Sequence, residues 1–173
     1  MAAQRRYFRV PARIESRLVL RGEWPVAASL SDLSLDGGSM VVRAQDAEET
    51  IAVRRWLAQG VLAHVEVTLA GRPVVLPGRI AWTRPVDGSR EVLAGMHFED
   101  LDETTRRVLR GWLVQGLAAI QGAARHVLLE RWEDAAECLE AVGIDDAAPT
   151  TVSAVLQYAA TGRAVPADAP PRG

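Results

Sequence analysis

Arg5-Arg6-Tyr7-Phe8-Arg9 forms an RxxxR stretch, and Asp32-Leu33-Ser34-Leu35-Asp36-Gly37 follows as DxSxxG. These residue types suit recognition of a guanine nucleotide. An arginine fork matches guanine O6 and N7, the same fork matches phosphate oxygens, and its flat cation stacks on a base. A carboxylate accepts from the N1–H and N2–H₂ edge of guanine, and a serine hydroxyl donates to phosphate. All twenty basic residues of the chain are arginine, so arginine at any one position says little. The spacing carries the case.

Val10-Pro11 follows Arg9 directly, and the neighbourhood of a proline is driven towards extended backbone, so Arg5 to Arg9 reads as an arm leading into a strand. In extended chain, positions four apart point the same way and lie about 13 Å apart, the span of a small dinucleotide. Asp32 and Ser34 are two apart, which at a strand end sends both side chains to one face. Gly37-Gly38 permits positive φ and close backbone approach. Taken alone, DxSxxG is more simply a hairpin turn, because Asp, Ser and Gly favour turns for local reasons. Joined to RxxxR, the ligand reading takes precedence.

The elements that must hold these residues are short strands. Ile14, Leu18 and Leu20 alternate with Arg13, Glu15, Arg17 and Arg21, with Ser16 on the apolar side and Val19 on the polar side. This is a half-buried strand. Trp24-Pro25 reads as a turn, Val26, Ala28 and Leu30 as a second strand, and Met40 to Arg43 as a third. Asp46 with Glu49 makes a capping-box-like start to a short helix containing Ile51, Trp56 and Leu57 before Gly60, a crossover or lid. Val61 to Leu69 alternates, Ala70-Gly71-Arg72 turns, and Val74 to Thr83 continues the sheet. Pro85-Val86-Asp87-Gly88-Ser89 is a hairpin loop, after which Val92, Ala94, Met96 and Phe98 alternate inward. Six or seven such strands imply a closed antiparallel barrel: a mainly β fold with C-terminal α.

At Asp102 the period becomes helical, with Leu109, Leu113, Leu117 and Ile120 on one face and Val108 and Trp112 beside it. Gly111, Gly116 and Gly122 permit close packing. A second helix is expected from Ala124 to Val142, with Leu128, Trp132, Ala136 and Leu139 on one side and Gly143 as its stop. A third runs from Thr150 to Thr161, and the Pro- and Ala-rich segment 164–173 reads as a disordered tail.

The paired motifs, in this order, resemble the PilZ family of bacterial cyclic di-GMP receptors, over roughly residues 4–113. The resemblance implies a six- or seven-stranded barrel in residues 1–113 and leaves 114–163 as a helical extension. It implies that Arg5 and Arg9 hold guanine and phosphate, Asp32 reads a guanine edge, and Ser34 and Gly37 shape the phosphate side. Arg6 and Gly38 are secondary contacts. Trp82 resembles an aromatic that flanks the ligand in this family, and core packing is an equal reading. Many members carry an arginine where this chain has Gln4, a position associated with one bound ligand or an intercalated pair; Gln4 favours one.

Composition narrows the alternatives. With 173 residues and 49% hydrophobic content the chain can bury a sizeable core. Residues 1–25 hold six arginines against Glu15 and Glu23, whereas 99–173 hold twelve acids against seven arginines. Positive charge this local suits a small anionic ligand and argues against nucleic acid. Cys138 is the only cysteine, which excludes an intramolecular disulfide, and without a long apolar run the expected location is the cytoplasm. His64, His97 and His126 are scattered, and Gly37-Gly38-Ser39-Met40-Val41 lacks the second glycine of a nucleophile elbow. The expectation is a receptor, not an enzyme, with cyclic di-GMP as ligand and no cofactor or metal. A protein partner, or self-association through the C-terminal helices, would carry the output. The alternative is an interaction or oligomerisation module that acts through those helices without ligand.

Overall fold

Regular alternation of apolar and polar residues becomes strand at six places between Val10 and Phe98. A computed structural model describes residues 9–20, 24–144, 146–147 and 149–161. Gln4, Arg5, Arg6 and the tail at 164–173 lie outside the described residues. The strands are β1 (Val10–Leu20), β2 (Trp24–Leu33), β3 (Gly37–Arg43), β4 (Leu62–Leu69), β5 (Arg72–Pro85) and β6 (Glu91–Phe98). They close into a barrel in the order β1-β2-β3-β6-β5-β4, every neighbour antiparallel. Of six or seven expected strands, six form the ring.

Inward positions fill the barrel with Leu18, Leu30, Met40, Val65, Leu76 and Ile80, none more than 1% exposed. Val92, Ala94, Met96 and Phe98 point inward as their alternation requires. Val19, placed on the polar side by its period, is nevertheless buried. Trp24 and Pro25 are strand residues paired with Leu20 and Val19, not a turn. Proline lacks only the amide hydrogen, so it is tolerated near a strand's start.

Three register shifts interrupt the ladders, between Pro11 and Ile14, Leu30 and Asp32, and Ile80 and Trp82. A bulge bends its strand and re-aims the next side chain. Asp32 and Trp82 each stand immediately after one.

Ala70 and Gly71 join β4 to β5 with φ of 49° and 75°. Two consecutive left-handed residues are the signature of the tight hairpin turn that favours Asn-Gly. Ala70→Asn is therefore expected to stabilise the chain by about 0.5–1 kcal/mol, because alanine pays a steric penalty there that asparagine largely avoids. Thermal unfolding by circular dichroism should show a rise of a few degrees; an unchanged or lower midpoint would refute it.

Helix α1 (Ala47–Trp56) crosses from β3 to β4. Asp46 accepts from the Glu49 amide at 2.8 Å, and Glu49 accepts from the Gln45 amide, one residue before the cap. Val53 is its buried residue and Leu57, at the C-cap, is buried too, while Ile51 is 70% exposed and Trp56 half-exposed.

After the barrel come α2 (Glu103–Leu128), α3 (Trp132–Glu140) and α4 (Pro149–Thr161), with α3 and α4 both packed on α2. Helix α2 buries Leu109, Trp112, Gly116 and Ile120; the expected Leu113 and Leu117 are only partly covered. Burial of Leu109 and Ile120 contributes about 1.5–3 kcal/mol each. That outweighs glycine's cost of about 1 kcal/mol in a helix. At Gly116 a Cβ would fall 2.5 Å from Val10 Cγ1, so glycine lets the helix sit directly on the start of β1.

The α2–α3 boundary differs from the expected helix over Ala124 to Val142. Helix α2 continues through Gly122 to Leu128, and Glu130 then adopts φ 58°. The Glu130 amide donates to the Val127 carbonyl and the Arg131 amide to that of His126. This is a Schellman stop with glutamate in the position glycine usually holds. Leu128 and Trp132 consequently point outward, 65% and 61% exposed. At the far end of α3, Gly143 at φ 75° does terminate the turn as its type predicts.

Candidate functional site

The site is a row of four residues running across four strands. Asp32 on β2 pairs with Ser39 on β3, Ser39 with Gly95 on β6, and Gly95 with Trp82 on β5. Arg9, immediately before β1, lies over the first two. Its Nη1 donates to Asp32 Oδ1 at 2.5 Å and to Ser39 Oγ at 3.0 Å. The Ser39 amide donates to Asp32 Oδ1 at 3.1 Å and its hydroxyl to Oδ2 at 2.6 Å. RxxxR and DxSxxG, 23 residues apart at Arg9 and Asp32, thus meet through one ion pair.

Both partners keep some access to solvent, with side-chain exposure of 14% for Arg9 and 23% for Asp32. A partly wetted pair is exchangeable. A ligand that offers Asp32 new donors and Arg9 new acceptors can replace the contact without leaving a charge bare.

Ser34 does not share a face with Asp32. Strand β2 ends at Leu33, so the two-residue alternation stops one residue short of it. Its hydroxyl donates to the Gly37 carbonyl at 3.0 Å and accepts from the Asp36 amide at 3.3 Å, and the residue is 3% exposed. Ser34 builds the turn that presents Asp32 and Asp36. Gly37 and Gly38 are needed for close approach rather than for positive φ. A Cβ on Gly37 would fall 2.1 Å from the Met96 carbonyl oxygen, and one on Gly38 2.7 Å from that of Asp32.

Trp82 is 40% exposed, so it is not a core residue. Its indole lies flat over Gly95, where a Cβ would come within 2.1 Å of Nε1. Gly95 therefore seats the ring, and among the described residues the indole stays partly open to solvent. Ser39 and Gly95 were not foreseen as site residues from sequence. Ser39 carries no motif signature, and only the strand register places it beside Asp32. Two open grooves, of about 510 and 750 Å³, lie on the β1–β4–β5 side, lined around Glu15 and Glu66 and around His64 and Pro77, and neither includes Arg9 or Asp32.

Outside this row, Asp102 caps α2. The Thr105 amide, then the Thr105 hydroxyl, hold its carboxyl below the usual carboxylate range. A depressed carboxylate stabilises above its unfolded pKa, and that contribution disappears as pH falls through the lowered value. Among the described residues no group of His, Cys, Asp and Glu is placed to hold a metal ion, and no helix is long and apolar enough to cross a membrane.

The PilZ domain family profile matches residues 3–115. The chain belongs to that family. Its fold is shared with YcgR of Escherichia coli, solved in complex with c-di-GMP, at 18% identity and TM-score 0.52 over 72% of this chain and 50% of that one. The c-di-GMP complex of MrkH from K. pneumonia is similar at 11% identity and TM-score 0.52, over 68% of this chain and 54% of that chain. Bacillus subtilis MotI/DgrA, described as an inhibitor of motility, gives 11% identity and TM-score 0.50 over 65% and 50%. The chain thus spans about half the length of these structures. No curated protein matches it.

Proposed function

We propose that this chain is a cyclic di-GMP receptor that switches on ligand binding and acts without catalysis, cofactor or metal. The observation that carries this reading is the meeting of Arg9 with Asp32 and Ser39 on the outer barrel face, in the same row as the half-exposed indole of Trp82. Asp32 would read a guanine edge, Arg5 and Arg9 would take guanine and phosphate, and the turn built by Ser34 and Gly37 would approach the phosphate side. YcgR and MrkH, solved with this ligand, share the fold. Binding replaces the Arg9–Asp32 pair, so the arm and its neighbours rearrange.

Under this reading residues 1–113 are the receptor domain and 114–163 a helical extension that passes the change to a protein partner in the cytoplasm. A second reading, an interaction module that needs no ligand, is favoured by one observation: Leu128, Leu129, Trp132, Val152 and Leu156 are exposed on the helices. Calorimetric titration separates the two. The receptor should bind cyclic di-GMP at about micromolar Kd or tighter, near −8 kcal/mol, one molecule per chain as Gln4 favours, and bind GTP and cyclic di-AMP far more weakly. Absence of binding at 100-fold higher ligand would leave only the second reading.

A further inference from the structure

Beside the DxSxxG turn, a half-open cavity of about 240 Å³ is walled by Asp36, His97, Asp100, Arg106 and Arg110 together with apolar neighbours. Arg106 and Arg110 stand one turn apart on α2 and so share a face. Among the described residues neither has a hydrogen bond or ion pair from its side chain. The turn is fixed against the cavity by the Phe98 amide, which donates to the Asp36 carbonyl at 2.8 Å. Asp100, at φ 53°, closes the wall where β6 gives way to α2.

The charges decide what this cavity suits. Two arginines face two aspartates, with His97 the fifth polar group. A phosphate would meet attraction and repulsion in equal number. Guanine is neutral and has one acceptor edge, O6 and N7, and one donor edge, N1–H and N2–H₂. An arginine fork matches the first and a carboxylate the second. At 240 Å³ the cavity is smaller than the ~300–1,000 Å³ of sites that hold a whole drug-sized ligand, so it fits one base. His97 is two residues along β6 from Gly95, about 7 Å away. A ligand seated on Asp32 and Trp82 can therefore reach it.

We propose that this cavity takes the distal guanine of the bound cyclic dinucleotide, with Arg106 and Arg110 donating to O6 and N7 and Asp36 accepting from the N1–H and N2–H₂ edge. This rests on the cyclic di-GMP reading above. The first helix after the barrel then touches the ligand itself, and α3 and α4, packed on it, move with it.

The test compares cyclic di-GMP with 3′,3′-cyclic GMP-AMP, which has one guanine, by calorimetry on the full chain. Wild type should prefer cyclic di-GMP by at least about tenfold. Arg106→Ala/Arg110→Ala should bind cyclic di-GMP at least about tenfold more weakly and lose most of that preference, leaving about the twofold expected from counting equivalent guanines. Asp36→Asn, which keeps both arginines, should lower the preference in the same direction. Both arginines are exposed and unpaired among the described residues, so circular dichroism should show an intact fold. Wild-type affinity in the double variant, or an equal loss for both ligands, would overturn the assignment while leaving the Asp32 site in place. Failure of wild type to bind cyclic di-GMP would remove both.

Discussion

Asp32→Ala is expected to lower affinity for cyclic di-GMP at least about 100-fold, measured by calorimetry at fixed ionic strength. Hydrogen bonds to a charged group contribute about 1.5–3 kcal/mol each, and two donors from one guanine edge give a loss on the order of 3 kcal/mol or more. The same side chain also positions the rest of the site: it accepts from Arg9 and twice from Ser39. Its removal therefore takes away a ligand contact and frees Arg9 from its docking point. Arg5→Ala should also weaken binding. Ser39→Ala should cost less than Asp32→Ala, because it removes a hydroxyl that orients the carboxylate and leaves the carboxylate in place. An Asp32→Ala variant that stays folded by near-ultraviolet circular dichroism and binds within threefold of wild type would sink the site assignment.

The second large effect is on stability. Gly37→Ala is expected to destabilise the chain by about 2–4 kcal/mol, the range for overpacking where the obstacle cannot yield. The new methyl would fall 2.1 Å from the Met96 carbonyl oxygen and 3.3 Å from His97 Cα, all backbone of the neighbouring strand. Only separation of β3 from β6 relieves it. That movement also disturbs the Gly37 carbonyl, which accepts from the Ser34 amide at 2.8 Å and from the Ser34 hydroxyl. At roughly 2–4 °C per kcal/mol for a chain of this size, the melting midpoint should fall by about 4–16 °C. Gly111→Ala is the control, since nothing lies within 4 Å of a Cβ there; alanine's better helix propensity should raise the midpoint slightly. Equal midpoints for the two variants would show that the close approach at Gly37 has no energetic weight.

The barrel was legible because its signal is local. Alternation at β4 and β6 is nearly perfect, and Ala70-Gly71 names its own turn. The α2–α3 boundary was not, because a Schellman stop is a backbone conformation and Glu130 carries no sign of it. Arg9 and Asp32 are marked by the paired motifs and their family resemblance, and their contact follows from β1 pairing with β2 across Pro11 and Asp32. Ser34 was misplaced by one residue of strand: with the strand ending at Leu33, its hydroxyl turns into the bend. Ser39, Gly95 and the two helix arginines had no local mark at all. Their role depends on which strand lies beside which, and register between distant segments is fixed by the whole ring.

Closure of that ring has a consequence for how such a chain can meet other proteins. Each strand has a hydrogen-bonded neighbour on both sides over part of its length, while residues 10–15 of β1 pair with β2 alone and residues 72–77 of β5 with β4 alone. Along the doubly paired stretches, then, no strand offers the bare edge that a visiting peptide would extend or that a misfolded copy would seize. Recognition there is left to side chains on curved surfaces, and the same closure that limits edge-to-edge pairing confines any contact to what those outward side chains offer.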